Sequence, residues 1–472
     1  MVYPNGGFRG YFHKERGMME RLTEASNAEL LIRMFGDGIR YCPPMKAWYV
    51  WGGRRWHEDV EKEMFGHAKD VAMSYRVRAE GMDVGDRNRG SYLKHADVSE
   101  RLTGIQSMIT LAQGIEGVCV DVEDFDRNPM HLNVENGTID LDTLKFRAFD
   151  RTDYITKMAP VQYRAGTRSE VWERFLVDVI PDEDTRTFLQ AAVGYSLTSS
   201  MDEDKMFLLH GRGRNGKSTF VGTILNMLGD YGAQASSQML MHKKTSGPSN
   251  DLLVLIGKRF VAATETSESH KLDENLIKQM TGQDRVSINP KYRSQMEFTP
   301  TWKIWLSTNH EPIITGTDRA IWRRLLKIPF DVTIAEDVCD PKLRPHLMRS
   351  LEERSGILNW ALEGVRIWRA CGLMIPKRVS DATRWYRANQ DLTGQFIEDC
   401  CQIHPDLTIN KKKLYQVYLD YCREIHEEPK KINEFGHQLK EREISDGRKA
   451  NSRFWTGISI RKTVSLNPLD ME

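Results

Sequence analysis

A chain that carries Gly211-Arg212-Gly213-Arg214-Asn215-Gly216-Lys217-Ser218-Thr219 has few folds open to it. The run matches GxxxxGK[ST], follows the apolar stretch Met206-Phe-Leu-Leu209 and precedes Phe220-Val-Gly-Thr-Ile-Leu-Asn-Met-Leu228. Strand, glycine-rich loop and helix are expected in that order. The glycines let the backbone curl so that its N–H groups and the helix N-terminus face phosphate oxygens. Lys217 would reach the β and γ phosphates, and the Ser218 hydroxyl would ligate Mg²⁺. From Lys205 to Phe330, apolar runs alternate with helical and polar segments, as an α/β nucleotide-binding core requires.

The 472 residues are enough for about three domains. With 67 Lys+Arg against 66 Asp+Glu the net charge is +1, so any polyanion site must be local. The seven cysteines contain no CxxC pair and suggest neither a disulfide framework nor a zinc ribbon; a reducing cytoplasm is the natural compartment. His13, Cys42, His57 and His67 match no metal-ligand spacing. No run is long enough to span a membrane, and the first residues lack an apolar signal core.

Residues 1 to about 110 read as mostly helical, interrupted by Lys46–Trp56, where aromatic runs flank Gly52-Gly53 as in a tight β-hairpin. Its tryptophans are expected to be core, with base stacking as the alternative. Asn136-Gly137 predicts a second hairpin turn between Leu132–Val134 and Thr138–Leu141. The acidic run Asp121–Asp126 reads as a solvated loop sooner than a metal site. Thr167 with Glu170 forms an expected capping box, and a second helix runs from Asp182 to Leu197. A helical stretch over about 342–373 leads to a linker around Pro376. Residues 408–462 hold 13 Lys+Arg against 8 Asp+Glu, the concentrated basic region of the chain.

Three further runs carry chemistry. Gly257–Glu265 is an apolar strand ending in a carboxylate, expected beside the P-loop strand with its acid toward Mg²⁺ and attacking water. Thr264 stands where many such strands place a first acid, so Glu265 would carry both roles, with Glu268 as the lesser helper. Trp302–Asn309 ends in an amide able to sense the γ-phosphate. Gly316–Phe330 brings paired Arg323 and Arg324 to the start of an apolar strand, either a solvated edge or an arginine finger for a neighbouring subunit.

In order and spacing these runs resemble the superfamily 3 helicases, specifically the phage, plasmid and poxvirus primase-helicase group, whose short AAA+ core holds the same four elements. The resemblance assigns Lys217, Ser218 and Thr219 to the P-loop, Glu265 to the acidic strand, Asn309 to the sensor and Arg324 to the finger, with Arg323 the adjacent alternative. Lys278-Gln-Met-Thr-Gly-Gln-Asp284 fits a further motif of this group, and Asn289-Pro-Lys291-Tyr292-Arg293 the tip of a hairpin. The resemblance implies a ring, a homo-hexamer, in whose channel such hairpins stand. Lys291 and Arg293 would then hold phosphates of single-stranded DNA while Tyr292 touches sugar or base. The resemblance implies ATP and Mg²⁺ as cofactors and movement from 3′ to 5′.

It further implies an N-terminal helical and β accessory domain over 1–165, the ATPase over 166–375 and a C-terminal winged helix over 391–472. In the last, Asn433, His437 and Lys440, with Arg448, Lys449 and Arg453 in the wing, would contact duplex DNA, unless the winged helix binds protein. Relatives often carry a primase-polymerase domain ahead of these parts; here no priming is expected, and a separate primase or polymerase would be a partner. The leading expectation is an ATP-dependent, ring-forming DNA helicase of a phage, prophage or mobile element. The alternatives are a nucleotide-controlled origin-binding module and an ATP-driven protein remodeller.

Overall fold

The computed structural model describes residues 21–242, 250–265, 271–288, 296–314, 319–337, 339–425, 427–449 and 452–461. Its central sheet has five strands: β1 (Met206–His210), β2 (Gly232–Ser236), β3 (Phe260–Glu265), β4 (Lys303–Thr308) and β5 (Leu325–Pro329). They lie in the order β5-β1-β4-β3-β2, and every neighbouring pair is parallel. A parallel sheet is covered on both faces, which is why these strands read as continuous apolar runs rather than alternating ones.

One expectation is corrected by this order. The acidic strand β3 does not lie beside β1; the sensor strand β4 separates them. All six residues of β4 are buried, and Trp305 stacks on Phe207 of β1 at 4.3 Å and on Phe260 of β3 at 5.2 Å. The central strand is covered on both faces, which is why even its Lys303, Ser307 and Thr308 are buried. Thr308 pairs with both His210 and Glu265, so β1, β4 and β3 end level.

The helices Glu24–Phe35, Glu63–Glu80, Arg89–Ser99 and Leu102–Ala112 share a core with a three-stranded antiparallel sheet, Ile39–Cys42, Ala47–Trp51 and Trp56–Glu58. The aromatic hairpin forms as expected, with Trp51 opposite Trp56. Trp56 is fully buried and Trp48 nearly so, which removes their faces from base stacking. The hairpin His131–Val134/Gly137–Asp140 turns on Glu135 and Asn136, one residue earlier than expected, because the Asn136 side chain binds the Tyr163 N–H and carbonyl, both at 2.9 Å. Its Leu132, Val134 and Ile139 belong to the same core as Trp172, Phe220 and Trp305, so packing is continuous across residue 165. Within the acidic run, Asp121 caps the turn Val122–Asp124, and Asp126 accepts from the Thr156 N–H at 2.8 Å. Among the described residues no group of three or more His, Cys, Asp or Glu could hold a metal ion.

The helix Glu170–Val179 is capped by Ser169, whose Oγ accepts from the Trp172 N–H at 3.0 Å, and not by Thr167. Serine three residues before Trp172 is at the spacing a cap requires; Thr167 lies outside the turn. Pro376 opens no linker. It starts the helix Lys377–Gln390, which lies along β5, where Thr383 Oγ1 accepts from the Lys327 N–H at 2.9 Å. Only Val379 and Tyr386 of that helix are buried, too sparse an apolar pattern for a helical period to show in sequence.

The C-terminal residues form a helix Leu392–Cys400, a strand Cys401–Asn410, helices Lys411–Glu424 and Ile432–Glu441, and an antiparallel pair Ser445–Lys449/Ser452–Ile460. The first strand pairs with the last, completing a three-stranded sheet around a separate core of Phe396, Tyr418, Phe435 and Trp455. Among the described residues, no helix is long and apolar enough to cross a membrane.

Candidate nucleotide site

The loop after β1 curls where its glycines allow it. Gly213 and Gly216 take φ of +104° and +81°, in the left-handed region that a side chain disfavours. A Cβ on Gly211 would lie 2.1 Å from Asn215 Nδ2, and one on Gly216 2.6 Å from Val179 Cγ1. The chain that follows β5 holds the loop from outside. Asn215 Nδ2 donates to the Phe330 carbonyl at 3.1 Å, the Ile334 N–H to the Arg214 carbonyl at 2.8 Å, and Arg214 pairs with Glu336. The helix Lys217–Leu228 starts at Gly216 without a side-chain cap, leaving its first-turn N–H groups for a ligand. Ser218 is exposed there, as is Arg212, while Thr219 is half-buried.

Lys217 is 5% exposed. Its Nζ donates to the Gly211 carbonyl at 2.6 Å, to Asn215 Oδ1 at 3.0 Å and to Asn309 Oδ1 at 3.0 Å, using all three N–H bonds of the ammonium. Burial pulls its pKa down to about 8. The contact joins the P-loop to the residue after β4 and brings together two residues singled out separately from the sequence. Glu265 ends β3 in register with Thr308, two strand spacings from β1, or roughly 10 Å. Burial, then the nearby Lys327 charge, lowers the pKa of His210 at the end of β1, so that its imidazole stays neutral. An uncapped helix end, a loop without room for a Cβ, a lysine ammonium and an exposed hydroxyl fit a nucleoside triphosphate. Ser218 and Glu265 are the residues that would hold its divalent cation.

The arginine pair lies at the other end of the sheet. Arg324 precedes Leu325, which pairs with Met206 at the start of β1, whereas the P-loop follows the end of that strand. The Arg324 side chain is only 11% exposed; Nη1 donates to the Ala320 carbonyl at 3.0 Å and Nη2 stands 3.9 Å from Asp204. Arg323 is exposed, and its carbonyl accepts from Lys205 Nζ at 2.8 Å.

Lys278 lies half-buried on the helix Glu274–Thr281. The expected hairpin has its stems, with Val286–Ile288 antiparallel to Met296–Phe298. Lys291, Tyr292 and Arg293, like Glu268, lie outside the described residues. In the C-terminal domain Asp446 holds Lys411 at 2.6 Å and Lys440 at 3.2 Å, and His437 stands 3.2 Å from Glu441. Asn433 and Arg453 are exposed, and Arg448 and Lys449 pair through their backbones with Arg453 and Ser452.

Sequence reasoning missed two side chains beside the site. Glu311, two residues after the sensor, pairs with Lys327 inside β5. The available signal was Lys327 itself, a charge within the apolar run Leu325–Phe330, which needs a buried partner.

A family described as D5 N terminal like matches residues 28–181, and a family of unknown function matches 209–324. A protein of Acanthamoeba polyphaga mimivirus named as a candidate helicase, L207/L206, is 25% identical over 422 residues, covering 81% of this chain and 44% of that protein. The similarly named 022R of Frog virus 3 is 27% identical over 267 residues, covering 52% and 27%. The chain therefore spans less than half the length of either. Among solved structures, the apo NrS-1 C-terminal region is similar with a TM-score of 0.51 at 10% identity, covering 92% of this chain and 99% of that one. That likeness shows a shared fold. With the D5 N terminal like segment and these relatives together, the chain is a superfamily 3 helicase/primase-like protein, akin to the D5-like primase-helicases.

Proposed function

We propose that this chain is an ATP-dependent DNA helicase that works as a ring, hexameric by family resemblance, and moves along single-stranded DNA during replication of a phage, prophage or mobile element. The observation that supports the reading is the 3.0 Å bond from Lys217 Nζ to Asn309 Oδ1, which brings the P-loop lysine and the amide that follows β4 together. In such a site the P-loop N–H groups bind phosphate, Lys217 neutralises its charge, and Asn309 orients water or contacts the γ-phosphate. Glu265 would serve as base and, with Ser218, would hold Mg²⁺, which would neutralise charge on the phosphates.

The finger role goes to Arg323. Arg324 is held by its own chain, whereas Arg323 is exposed at the end of the sheet opposite the P-loop, away from this chain's own nucleotide site. DNA would be held by Lys291, Tyr292 and Arg293, with Lys278 nearby. The order helix, strand, two helices and strand pair supports a winged helix over 391–472. Asp446 already neutralises part of its basic face, which favours a contact with protein or a weak one with duplex DNA over tight origin binding.

Lys217→Ala is expected to abolish both DNA-stimulated ATP hydrolysis and strand unwinding. Unwinding that survives the substitution would sink the proposal. Site-specific duplex binding that persists without turnover would favour a nucleotide-controlled binding module instead.

A further inference from the structure

The loop that follows the sensor makes contacts that phosphate binding does not require. Lys327 lies in mid-strand on β5, opposite Leu208, with a side chain 7% exposed. A cation buried there is costly unless paired. Its Nζ donates to Glu311, and it lies 4.9 Å from the ring centroid of Trp385 and 5.8 Å from that of Tyr386. Both rings belong to the helix Lys377–Gln390. The Tyr386 hydroxyl donates to the Pro312 carbonyl, and the Ile314 N–H donates to Gln390 Oε1 at 3.1 Å. Asp391, the next residue, accepts from the Gly394 N–H at 2.9 Å and pairs with Arg442 of the C-terminal domain.

We propose that Glu311 and Lys327 are positioning residues that hold the sensor Asn309 against Lys217, and that Tyr386 and Gln390 carry a change in this loop to the C-terminal domain. The inference rests on the reading of the P-loop as an ATP site and names how that site is connected to the rest of the chain. Of the three acceptors on Lys217, Gly211 and Asn215 belong to the P-loop, and Asn309 alone comes from another strand. A phosphate oxygen bound to Nζ must replace one of them, and replacing Asn309 frees the sensor from the P-loop. The loop 309–314 is then held by Lys327, Tyr386 and Gln390, so its displacement is felt by the helix Lys377–Gln390 and, through Asp391, by Arg442.

The test is hydrogen exchange on the full chain with and without a non-hydrolysable ATP analogue, alongside steady-state ATP turnover and thermal melting. In the unaltered protein the analogue should slow exchange in the P-loop and change it over 377–400 by about threefold or more. Glu311→Gln and Lys327→Met should keep P-loop protection and an analogue Kd within about threefold, lose the response over 377–400, and lower kcat about tenfold with KM held. Lys327→Arg, which keeps the charge pair, should retain the response. A response that persists in both pair-breaking variants overturns the proposal, as does P-loop protection with no response over 377–400 in the unaltered protein. Variants that lose P-loop protection and melting temperature together show a merely structural pair and also overturn it. If the analogue protects the P-loop but no DNA elicits turnover, the helicase reading fails alone, and the exchange pattern still decides the connection. No P-loop protection at all would remove both.

Discussion

At the scale of single residues, Lys217 decides most. Burial lowers its pKa to about 8, so around neutrality the folded protein holds a cation it would rather not bury. A polyphosphate favours the protonated form, and binding therefore draws in a proton wherever the free lysine is partly neutral. Nucleotide affinity should weaken about tenfold for each pH unit above about 8, while below about 7 this residue adds no pH dependence. Calorimetry at pH 8 in buffers of different ionisation enthalpy should record proton uptake of roughly half an equivalent. Zero uptake would mean that Lys217 is fully charged before nucleotide arrives. The sign for stability is the opposite of that for affinity: the cost of the buried cation is fully present below about 8 and fades as pH rises toward the ordinary lysine value of 10.5, so stability gains where nucleotide affinity is lost. The identity of Lys217 was plain in the motif, and so was Asn309 at the end of its strand. Their contact was not, because 92 residues separate them and only the sheet order brings their strands together.

At the scale of elements, the fold around the P-loop depends on how closely its helices pack. The helices Glu183–Ser196 and Leu351–Cys371 cross where Gly194 meets Gly364; a Cβ on Gly194 would lie 2.1 Å from the Gly364 carbonyl carbon, and one on Gly364 1.9 Å from the Gln190 carbonyl oxygen. Backbone meets backbone there, so no side chain can move aside. Gly364→Ala should cost about 2–3 kcal/mol and lower Tm by roughly 5–10 °C, measured by circular dichroism. An unchanged Tm would show that the two helices separate freely. The strands and helices nearest the P-loop were legible because each carries a strong apolar period or a loop motif. The helix Lys377–Gln390 was not, since two buried residues suffice to dock it when Thr383 and Tyr386 add polar contacts. Nor was the strand Cys401–Asn410, whose middle residues are exposed and give no alternation.

At the scale of the whole molecule, the two ends of the sheet do different work. The P-loop, Asn309 and the end of β3 cluster at one end, and Arg323 lies at the other, so in the proposed ring a complete site would be built from two copies of the chain. Arg323→Ala should bind nucleotide within about threefold of the unaltered protein but lose at least about a hundredfold in DNA-stimulated turnover. Mixing it with Lys217→Ala chains should restore part of that rate, because one partner supplies the P-loop and the other the arginine. Failure to complement, with Arg324→Ala complementing in its place, would move the role one residue along. The near-neutral total of 67 basic against 66 acidic residues is compatible with such a ring, where a few cations per subunit repeat around a channel.

By itself the sequence determined the glycine loop, its flanking strand and helix, and the identities of Lys217, Glu265 and Asn309, because local backbone chemistry and apolar runs are written in neighbouring residues. Only the tertiary structure decided that β4 separates the acidic strand from the P-loop strand, that the 131–163 hairpin shares the core of the central sheet, and that Arg323 rather than Arg324 is exposed. Those outcomes depend on which surfaces far apart in the chain remove most apolar area from water together, a competition no short stretch of sequence records.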